Sequence, residues 1–539
     1  MSAGFYQAFH PMALRDAVAD QVAEWLMQHL GRQANLCADS RRVSGGDGFL
    51  ARTGQTTSGA AYVEAALAAG AAAVVLPADD TATAVEPVRD AAVPTIRVPK
   101  LAERTGMIAS AFYGRPSMTL QLVAITGTNG KSTVTVALAY ALARAGISAA
   151  TVGTLGTGIF PAGCEKDFVP AWDDRLTNGL TTPDPVDLQR LLRDLQLRGV
   201  QVVTLEASSI GIAQGRLRGC AIKIAGFTNL SHDHLDLHGS MQEYAKAKSY
   251  LFESPSLDAV VINTDDHYAM AMWKADEPHI SRIAIGTTVP SNAHLSLRAS
   301  DAQASERGWH LRVHGSGKAA ELSGPVDLPV YGRHNIDNAM VVAGCLVALK
   351  IDPSTIRKSL SEFVLPPGRL QMIVKENAPW ACIDYAHSPD ALARVLEALR
   401  PLTDVRRGRL VCIFGCGGDR DAGKRPVMGE VAARLADWVV LTSDNPRSES
   451  AEIILDAIES GVPAPLAHKV SRQSDRALAI AQTIARASDR DLILVAGKGH
   501  ENYQIVGDLE ILFSDADHAR RAVDAWGLAT NGDRGFAHA

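Results

Sequence analysis

The feature that most constrains this chain is a glycine-rich loop set between an apolar run and a helical pattern. Residues 120–125 read as a buried strand, Gly127-Thr128-Asn129-Gly130-Lys131-Ser132-Thr133 follows, and 131–145 reads as a helix stopped by Gly146. Glycines let consecutive backbone N–H groups turn towards phosphate oxygens, and a helix N-terminus adds its positive dipole. Lys131 is spaced to reach terminal phosphates and Ser132 to ligate Mg²⁺. The spacing is G-x-x-G-K-S, and Ile125 stands where the common phosphate loop has its first glycine. A glycine turn with an incidental lysine is the bland alternative. The strand–loop–helix setting argues for a nucleotide and for an α/β fold with a parallel sheet.

A chain of 539 residues exceeds the roughly 250–300 residues that one core sustains. The alternation continues after the loop, with strands expected at 200–205, 222–227 and 260–263. Before it lies a shorter mixed block with a helix over 60–69 and a strand over 73–76. Tyr113-Gly114-Arg115-Pro116-Ser117 has turn chemistry and separates the two. Pro366-Pro367-Gly368 marks a second boundary, after which strands at 381–384, 410–414, 439–442 and 492–495 alternate with helices, two of them over 389–399 and 426–435. The expected domains are 1–117, 118–365 and 366–539.

Composition narrows the partners. With 53 Lys+Arg against 59 Asp+Glu, the net charge of −6 gives no general attraction to nucleic acid or an anionic membrane. Seven scattered cysteines without a C-x-x-C pair indicate neither a disulfide framework nor a thiolate zinc site. No stretch reads as a signal peptide or a membrane span. A cytoplasmic chain acting on small molecules, with no nucleic acid partner and no membrane insertion, is expected.

Glu206 closes the 200–205 strand, at the end of a parallel strand where ligands bind; alone it reads equally well as a solvated carboxylate. Residues 229–238 gather His232, Asp233, His234, Asp236 and His238, a cluster that suggests metal. Its H-x-H-x-D-x-H order is similar to the zinc motif of metallo-β-lactamase-fold hydrolases. One extra residue displaces the third ligand, and that reading leaves the glycine loop unexplained. In the third block four polar turns follow strands: Asp384-Tyr385-Ala386-His387-Ser388-Pro389, Phe414-Gly415-Cys416-Gly417-Gly418-Asp419-Arg420, Asp444-Asn445-Pro446-Arg447 and Gly497-Lys498-Gly499-His500-Glu501. Together they would line one sheet edge as a ligand site.

In this order the motifs resemble the Mur ligase family, and within it the branch that forms the tripeptide of the peptidoglycan precursor. The resemblance runs from Ala38-Asp39-Ser40-Arg41 to Phe513-Ser514-Asp515. It takes in the G-T-N-G-K-S loop, Leu180-Thr181-Thr182-Pro183, Glu206-Ala207-Ser208-Ser209, Thr228-Asn229-Leu230, Asp233-His234, Asn338, Gly368-Arg369 and the four turns above. It implies three domains: an N-terminal UDP-sugar-peptide domain, a central P-loop ATPase-like domain and a C-terminal Rossmann-like domain for the amino acid.

The implied reaction is ATP-dependent ligation of meso-diaminopimelate to the D-Glu side-chain carboxylate of UDP-MurNAc-L-Ala-D-Glu through an acyl phosphate. Lys131 would offset phosphate charge. Ser132, Glu206, His234 and Lys248, the last as a carbamate formed with CO₂, would hold Mg²⁺. Composition alone makes Lys248 a surface helix residue. Gly127 through Thr133, Asn338, Arg369 and Asp384 would bind ATP. Ser40, Gln55, Thr56, Thr57, Thr181, Thr182, Ser208, Gln214 and Arg216 would contact the sugar nucleotide. Arg420, Asp444, Asn445, Pro446, Arg447, Gly497 and Glu501 would hold the amino acid, with Glu501 accepting from its ammonium and Arg447 binding its distal carboxylate. A monomer is expected.

Two departures fall on the sugar-nucleotide side. Ile210 follows the Ser-Ser pair where the family has His, and Gly54–Gly59 reads G-Q-T-T-S-G instead of G-x-x-x-D-G. An L-lysine ligase of the same family and a non-catalytic nucleotide-binding relative are the alternatives. Retention of Lys131, Glu206, His234 and Lys248 together argues against the latter.

Overall fold

The computed structural model describes residues 12–53, 58–79, 82–165, 168–233, 235–273 and 277–527. These residues fall into two compact units, one within 1–299, 313–324 and 337–360, the other within 300–312, 325–336 and 361–539. No helix of the described residues is long and apolar enough to cross a membrane.

The first unit holds two sheets. The smaller runs Leu36–Cys37, Gly48–Leu50, Ala73–Pro77, Thr95–Val98, Glu86–Pro87, parallel except for its last pair. Helices Ala17–His29 and Leu101–Phe112 share a core with it through Val22, Leu26, Val75, Ile96 and Ile108. The helix expected over 60–69 is a 3-10 turn, Gly59–Tyr62, followed by a short α-helix, Val63–Ala68. Gly59 packs so closely on the Ala51–Arg52 backbone that any Cβ would collide with it, which tightens the first turn.

The larger sheet orders Ser281–Ile285, Ala259–Asn263, Ile222–Phe227, Gln121–Thr126, Val202–Glu206 and Ala149–Gly153 in parallel, with Gly156–Phe160 antiparallel beside the last. Leu122 to Ile125 are buried without alternation, the pattern of a strand covered on both faces. Helix Lys131–Arg144 is buried over nearly all its length. Register then positions the site: Ile125 pairs with Glu206 and Thr126 with Phe227. The loop after Thr126 therefore starts beside Glu206 on one side and Thr228 on the other.

In the second unit the sheet runs Gln371–Ile373, Trp380–Asp384, Leu492–Ala496, Leu410–Phe414, Trp438–Leu441, Val470–Arg472, parallel apart from its first pair. Alternation is clear within it. Leu410, Cys412 and Phe414 enter one core while Val411 and Ile413 enter the other. The expected helix over 389–399 extends to Arg406, through Pro401. Beyond the proline, buried Leu402 and Thr403 anchor the last turns, and Thr403 Oγ1 donates to Leu399 O at 3.0 Å.

Asp515, in the last matched motif, has a structural role. Its carboxylate receives Arg476 Nε and Nη2, each at 2.7 Å, in a pair with no exposed side-chain surface. Arg476 also donates to Ala496 O at 2.9 Å, tying the helix Arg476–Arg486 to a strand end. Asp515→Ala would leave a buried guanidinium uncompensated, so a loss of about 3–5 kcal/mol in unfolding free energy is expected. Denaturant titration of the two proteins checks this.

Candidate functional site

In the first unit the glycine loop is fastened from below and from the side. Gly127 and Gly130 have φ of 147° and 85°. A Cβ at Gly127 would run into Thr228 Oγ1, and one at Gly130 into Asn338 Oδ1, so only glycine fits either position. The neighbouring segment holds the loop: Asn229 O accepts from Thr128 N at 2.8 Å, and Thr228 Oγ1 donates to Asn129 O at 2.6 Å. Asn129 N donates to Asn229 Oδ1 at 3.1 Å and Thr128 Oγ1 to Ser231 O at 3.2 Å.

Two lysines meet at this loop. Lys131 Nζ donates to Gly127 O at 3.0 Å and Thr128 O at 2.9 Å, and Lys248 Nζ donates to Gly127 O at 2.9 Å. Lys248 is thus no surface lysine; it is 1% exposed, lies 4.6 Å from the Tyr244 ring centroid, and sits on the inner face of helix Met241–Ser249. Burial pushes its ammonium well below the usual lysine range, and repulsion from Lys131 adds to this while Asp233 opposes it. Lys131, the first residue of helix Lys131–Arg144, is partly buried.

Glu206 is buried at the end of its strand. Its carboxylate accepts from Thr154 N at 2.9 Å and Thr154 Oγ1 at 3.2 Å, and it occupies the space a Cβ on Gly153 would need. From here a connected network extends. Thr154 Oγ1 meets Thr181 Oγ1 at 3.2 Å, and Thr182 Oγ1 donates to Glu206 O at 2.8 Å. Ser208 N donates to Thr182 Oγ1 at 2.9 Å, while Arg216 bridges Thr182 O at 2.7 Å and Gln214 Oε1. Ser208 also caps the helix Ser209–Ala213, on which Ile210 stands half-buried.

Of the predicted sugar-nucleotide contacts, Thr181, Thr182, Ser208, Gln214 and Arg216 are therefore brought together beside Glu206. Ser40 is buried on a separate short turn capped by Asp39, and no hydrogen bond recorded among the described residues joins it to that network. Arg52 pairs with Asp184, and Arg42 with Asp187, which ties the N-terminal sheet to the segment after Thr182. Gln55, Thr56, Thr57 and His234 lie outside the described residues. Among the described residues no three His, Cys, Asp or Glu side chains form a metal-holding group.

In the second unit the four turns follow adjacent strands. Asp384 Oδ2 accepts from Leu370 N at 2.8 Å and Oδ1 from Ala386 N at 2.9 Å, so it fixes the Gly368-Arg369 turn; burial raises its pKa, with Arg369 opposing. The Arg369 guanidinium lies over Tyr385, 4.9 Å from the ring centroid. Asp444 is buried and its pKa is likewise raised by burial, opposed by Arg476 and Lys498. Asn445 Nδ2 donates to Glu501 Oε2 at 3.1 Å, and a Cβ on Gly497 would stand 2.8 Å from Asp444 Oδ2.

Arg447 has the left-handed φ of 52° and is held there by a bridge to Val506, with its N–H donating to Ile505 O at 3.1 Å. Its Nη1 donates to Gly418 O at 2.8 Å. A Cβ on Gly417 would be 3.0 Å from Arg447 Nη1 and 3.7 Å from Arg420 Cγ, so both arginines border that glycine. Pro446 is buried beside them, its carbonyl filling the space a Cβ on Gly418 would take.

Three family models match in succession: the Mur ligase family catalytic domain over 34–113, the Mur ligase middle domain over 125–346 and the Mur ligase glutamate ligase domain over 368–499. A Pseudomonas aeruginosa protein named UDP-N-acetylmuramoyl-L-alanyl-D-glutamate--2,6-diaminopimelate ligase is 42% identical, over 91% of this chain and 95% of its own length. The chain belongs to the Mur ligase family. A protein of the same name from Xanthomonas oryzae is 39% identical over 94% of this chain and 97% of its own. A solved structure of that name shares 33% identity, with a TM-score of 0.63 over 91% of this chain and 94% of its own. A MurF structure from Acinetobacter baumannii, 18% identical over 91% of this chain and 97% of its own, has a TM-score of 0.60 and shares the fold.

The three-domain α/β architecture expected from the motifs is thus that of Mur ligases. The loop, Glu206 and the D-N-P-R turn stand out as contiguous motifs; the residues that fix them do not. Nothing local in the sequence marks Thr154 or Tyr244, whereas Lys498 lies inside the G-K-G-H-E turn. A lysine between two glycines, in a chain turn that must bend inward, was the available signal for it.

Proposed function

We propose that this chain joins meso-diaminopimelate to UDP-MurNAc-L-Ala-D-Glu at the expense of ATP, in peptidoglycan precursor synthesis. The γ-phosphoryl group of ATP would pass to the D-Glu side-chain carboxylate, giving an acyl phosphate and ADP. The amine of the incoming amino acid would then attack the acyl carbon and release phosphate. Both substrates are anionic at the first step, so cationic groups must offset their repulsion.

Lys131 and the N–H groups at the start of helix Lys131–Arg144 carry that role for the nucleotide, and Asn338, Arg369 and Asp384 are proposed as its further contacts. Thr181, Thr182, Ser208, Gln214 and Arg216 form the side of the site suited to the sugar-peptide, with Ser40, Gln55, Thr56 and Thr57 as further contacts. The oxygen donors of Ser132 and Glu206, with Lys248 as a carbamate, suit a hard divalent cation, and His234 completes the proposed set. Mg²⁺ held there supplies charge neutralisation on the phosphates. Glu206 is oriented for this by Thr154, and Lys248 by its seat on Gly127 O.

The observation that carries the amino-acid assignment is Arg447, held in a left-handed turn next to a buried acidic cluster. Meso-diaminopimelate differs from L-lysine by a distal carboxylate, which a guanidinium recognises bidentately. Lysine would leave that cation without its partner, a cost of about 2–5 kcal/mol. A strong preference for diaminopimelate over L-lysine is expected, collapsing in Arg447→Ala. Phosphate release measured with each amino acid, in the presence of the UDP-MurNAc-dipeptide, tests it; comparable use of the two by the unaltered enzyme would sink the assignment.

A further inference from the structure

We propose that Lys498 is a positioning residue for the incoming amino acid: it fixes the Glu501 carboxylate and the Asn445 amide, and it leaves their buried acidic cluster with one net negative charge. The inference rests on the reading of this turn cluster as the amino-acid site. Lys498 has no exposed side-chain surface. Its Nζ donates to Asn445 Oδ1 and Glu501 Oε2, each at 3.1 Å, and stands 3.8 Å from Asp444 Oδ1. The Tyr503 ring centroid lies 5.4 Å away and closes the remaining side.

The local sequence is built to drive this lysine inward. Gly497 and Gly499 flank it with φ of 116° and 55°. A Cβ on Gly499 would stand 2.7 Å from Tyr385 Cβ, as one on Gly497 would crowd Asp444. Two such glycines let the chain fold tightly enough to bury the residue between them.

Burying an ammonium for packing alone is unfavourable, because an apolar side chain fills the same volume without desolvation. What the ammonium adds is orientation. Asn445 Oδ1 accepts from both Lys498 Nζ and Ile505 N, the latter at 3.0 Å, so the amide cannot flip and its Nδ2 must point at Glu501. Glu501 Oε2 receives both the amide and the lysine. Oε1, on the same rigidly held carboxylate, keeps its acceptor capacity for a ligand.

The charge count is equally specific. Asp444 and Glu501 contribute two negative charges and Lys498 one positive, while nearby Arg476 is balanced by Asp515. The remaining single charge matches one ammonium on the distal half of a diamino diacid, as Arg447 matches its one carboxylate. Without Lys498, two carboxylates would share a buried site. Their repulsion would turn Glu501 away from Asp444, and that change spoils the ammonium site.

The test compares full-length wild type, Lys498→Met and Lys498→Gln in steady-state kinetics with diaminopimelate and ATP varied separately, with thermal melting as a check of folding. The Met variant is expected to raise KM for diaminopimelate at least tenfold while KM for ATP stays within twofold. The Gln variant, which keeps a donor without the charge, should fall between Met and wild type. A diaminopimelate KM within twofold of wild type in the Met variant overturns the proposal. An equal rise in KM for ATP does so too. If the Met variant does not fold, the Gln variant decides by the same criteria, and failure of both to fold assigns Lys498 to the core and overturns it. A wild-type enzyme that ignores diaminopimelate would instead sink the functional reading, and the amino acid it does use would take the same place in the comparison.

Discussion

Lys131→Ala is expected to reduce tripeptide formation by about 10²–10³-fold or more, the scale on which a preorganised charge at a reacting centre acts. The expectation rests on where the ammonium is held. Its carbonyl partners Gly127 O and Thr128 O belong to the loop that leads into the N-terminus of helix Lys131–Arg144, the end that would face the phosphates. The cation therefore sits beside the loop at the N-terminus of helix Lys131–Arg144, where phosphate oxygens would meet it. Alanine removes the hydrogen bonds to Gly127 O and Thr128 O, each of about 0.5–1.5 kcal/mol, and Gly127 O keeps Lys248 as a donor, so the fold should survive. Thr228, Asn229 and Ser231 continue to hold the loop from the side. Phosphate release and product formation, with far-UV circular dichroism as the control, measure both halves. A folded variant that still forms tripeptide at a near-normal rate would remove Lys131 from the reaction.

How much of this was legible in the sequence depended on whether the signal was local. The strand at 410–414 appears with the expected bounds because a continuous apolar run flanked by turn residues leaves little choice, and the strand at 222–227 does so although Lys223 interrupts its apolar residues. The loop was readable for the same reason: its glycines, lysine and serine are contiguous. Lys248 was not readable by composition. Nothing near Tyr244-Ala245-Lys246-Ala247-Lys248 says which lysine turns inward; Lys246 is exposed beside Glu243, whereas Lys248 reaches Gly127, more than a hundred residues earlier. Thr154 was missed likewise, since its role depends on Glu206 lying on the adjacent strand. The helix that continues past Pro401 shows the converse. A local breaker was overridden by the burial of Leu402 and Thr403, a tertiary effect that propensity does not contain.

Lys248→Ala is expected to abolish ligation nearly as fully as the loss of Lys131, and a short added carboxylate such as acetate or formate is expected to restore part of it. The loop carries an electrostatic oddity. Two lysines donate to one carbonyl, Gly127 O, and one of them is buried. Burial of Lys248 penalises its ammonium and repulsion from Lys131 adds to the penalty, so its amine is shifted towards the neutral form. A neutral amine is the nucleophile that CO₂ requires: nitrogen attacks the carbon, a proton leaves, and the product is an anionic carbamate. That change converts repulsion from Lys131 into attraction and creates an oxygen donor on the phosphate-loop side of the site. Alanine removes the donor while leaving a cavity that a small carboxylate could enter. Activity of the alanine variant as a function of added carboxylate, alongside the unaltered enzyme assayed with CO₂ depleted and restored, tests the two parts together. Full activity in the unsupplemented alanine variant would show that Lys248 neither orients the metal nor needs to carry the carbamate.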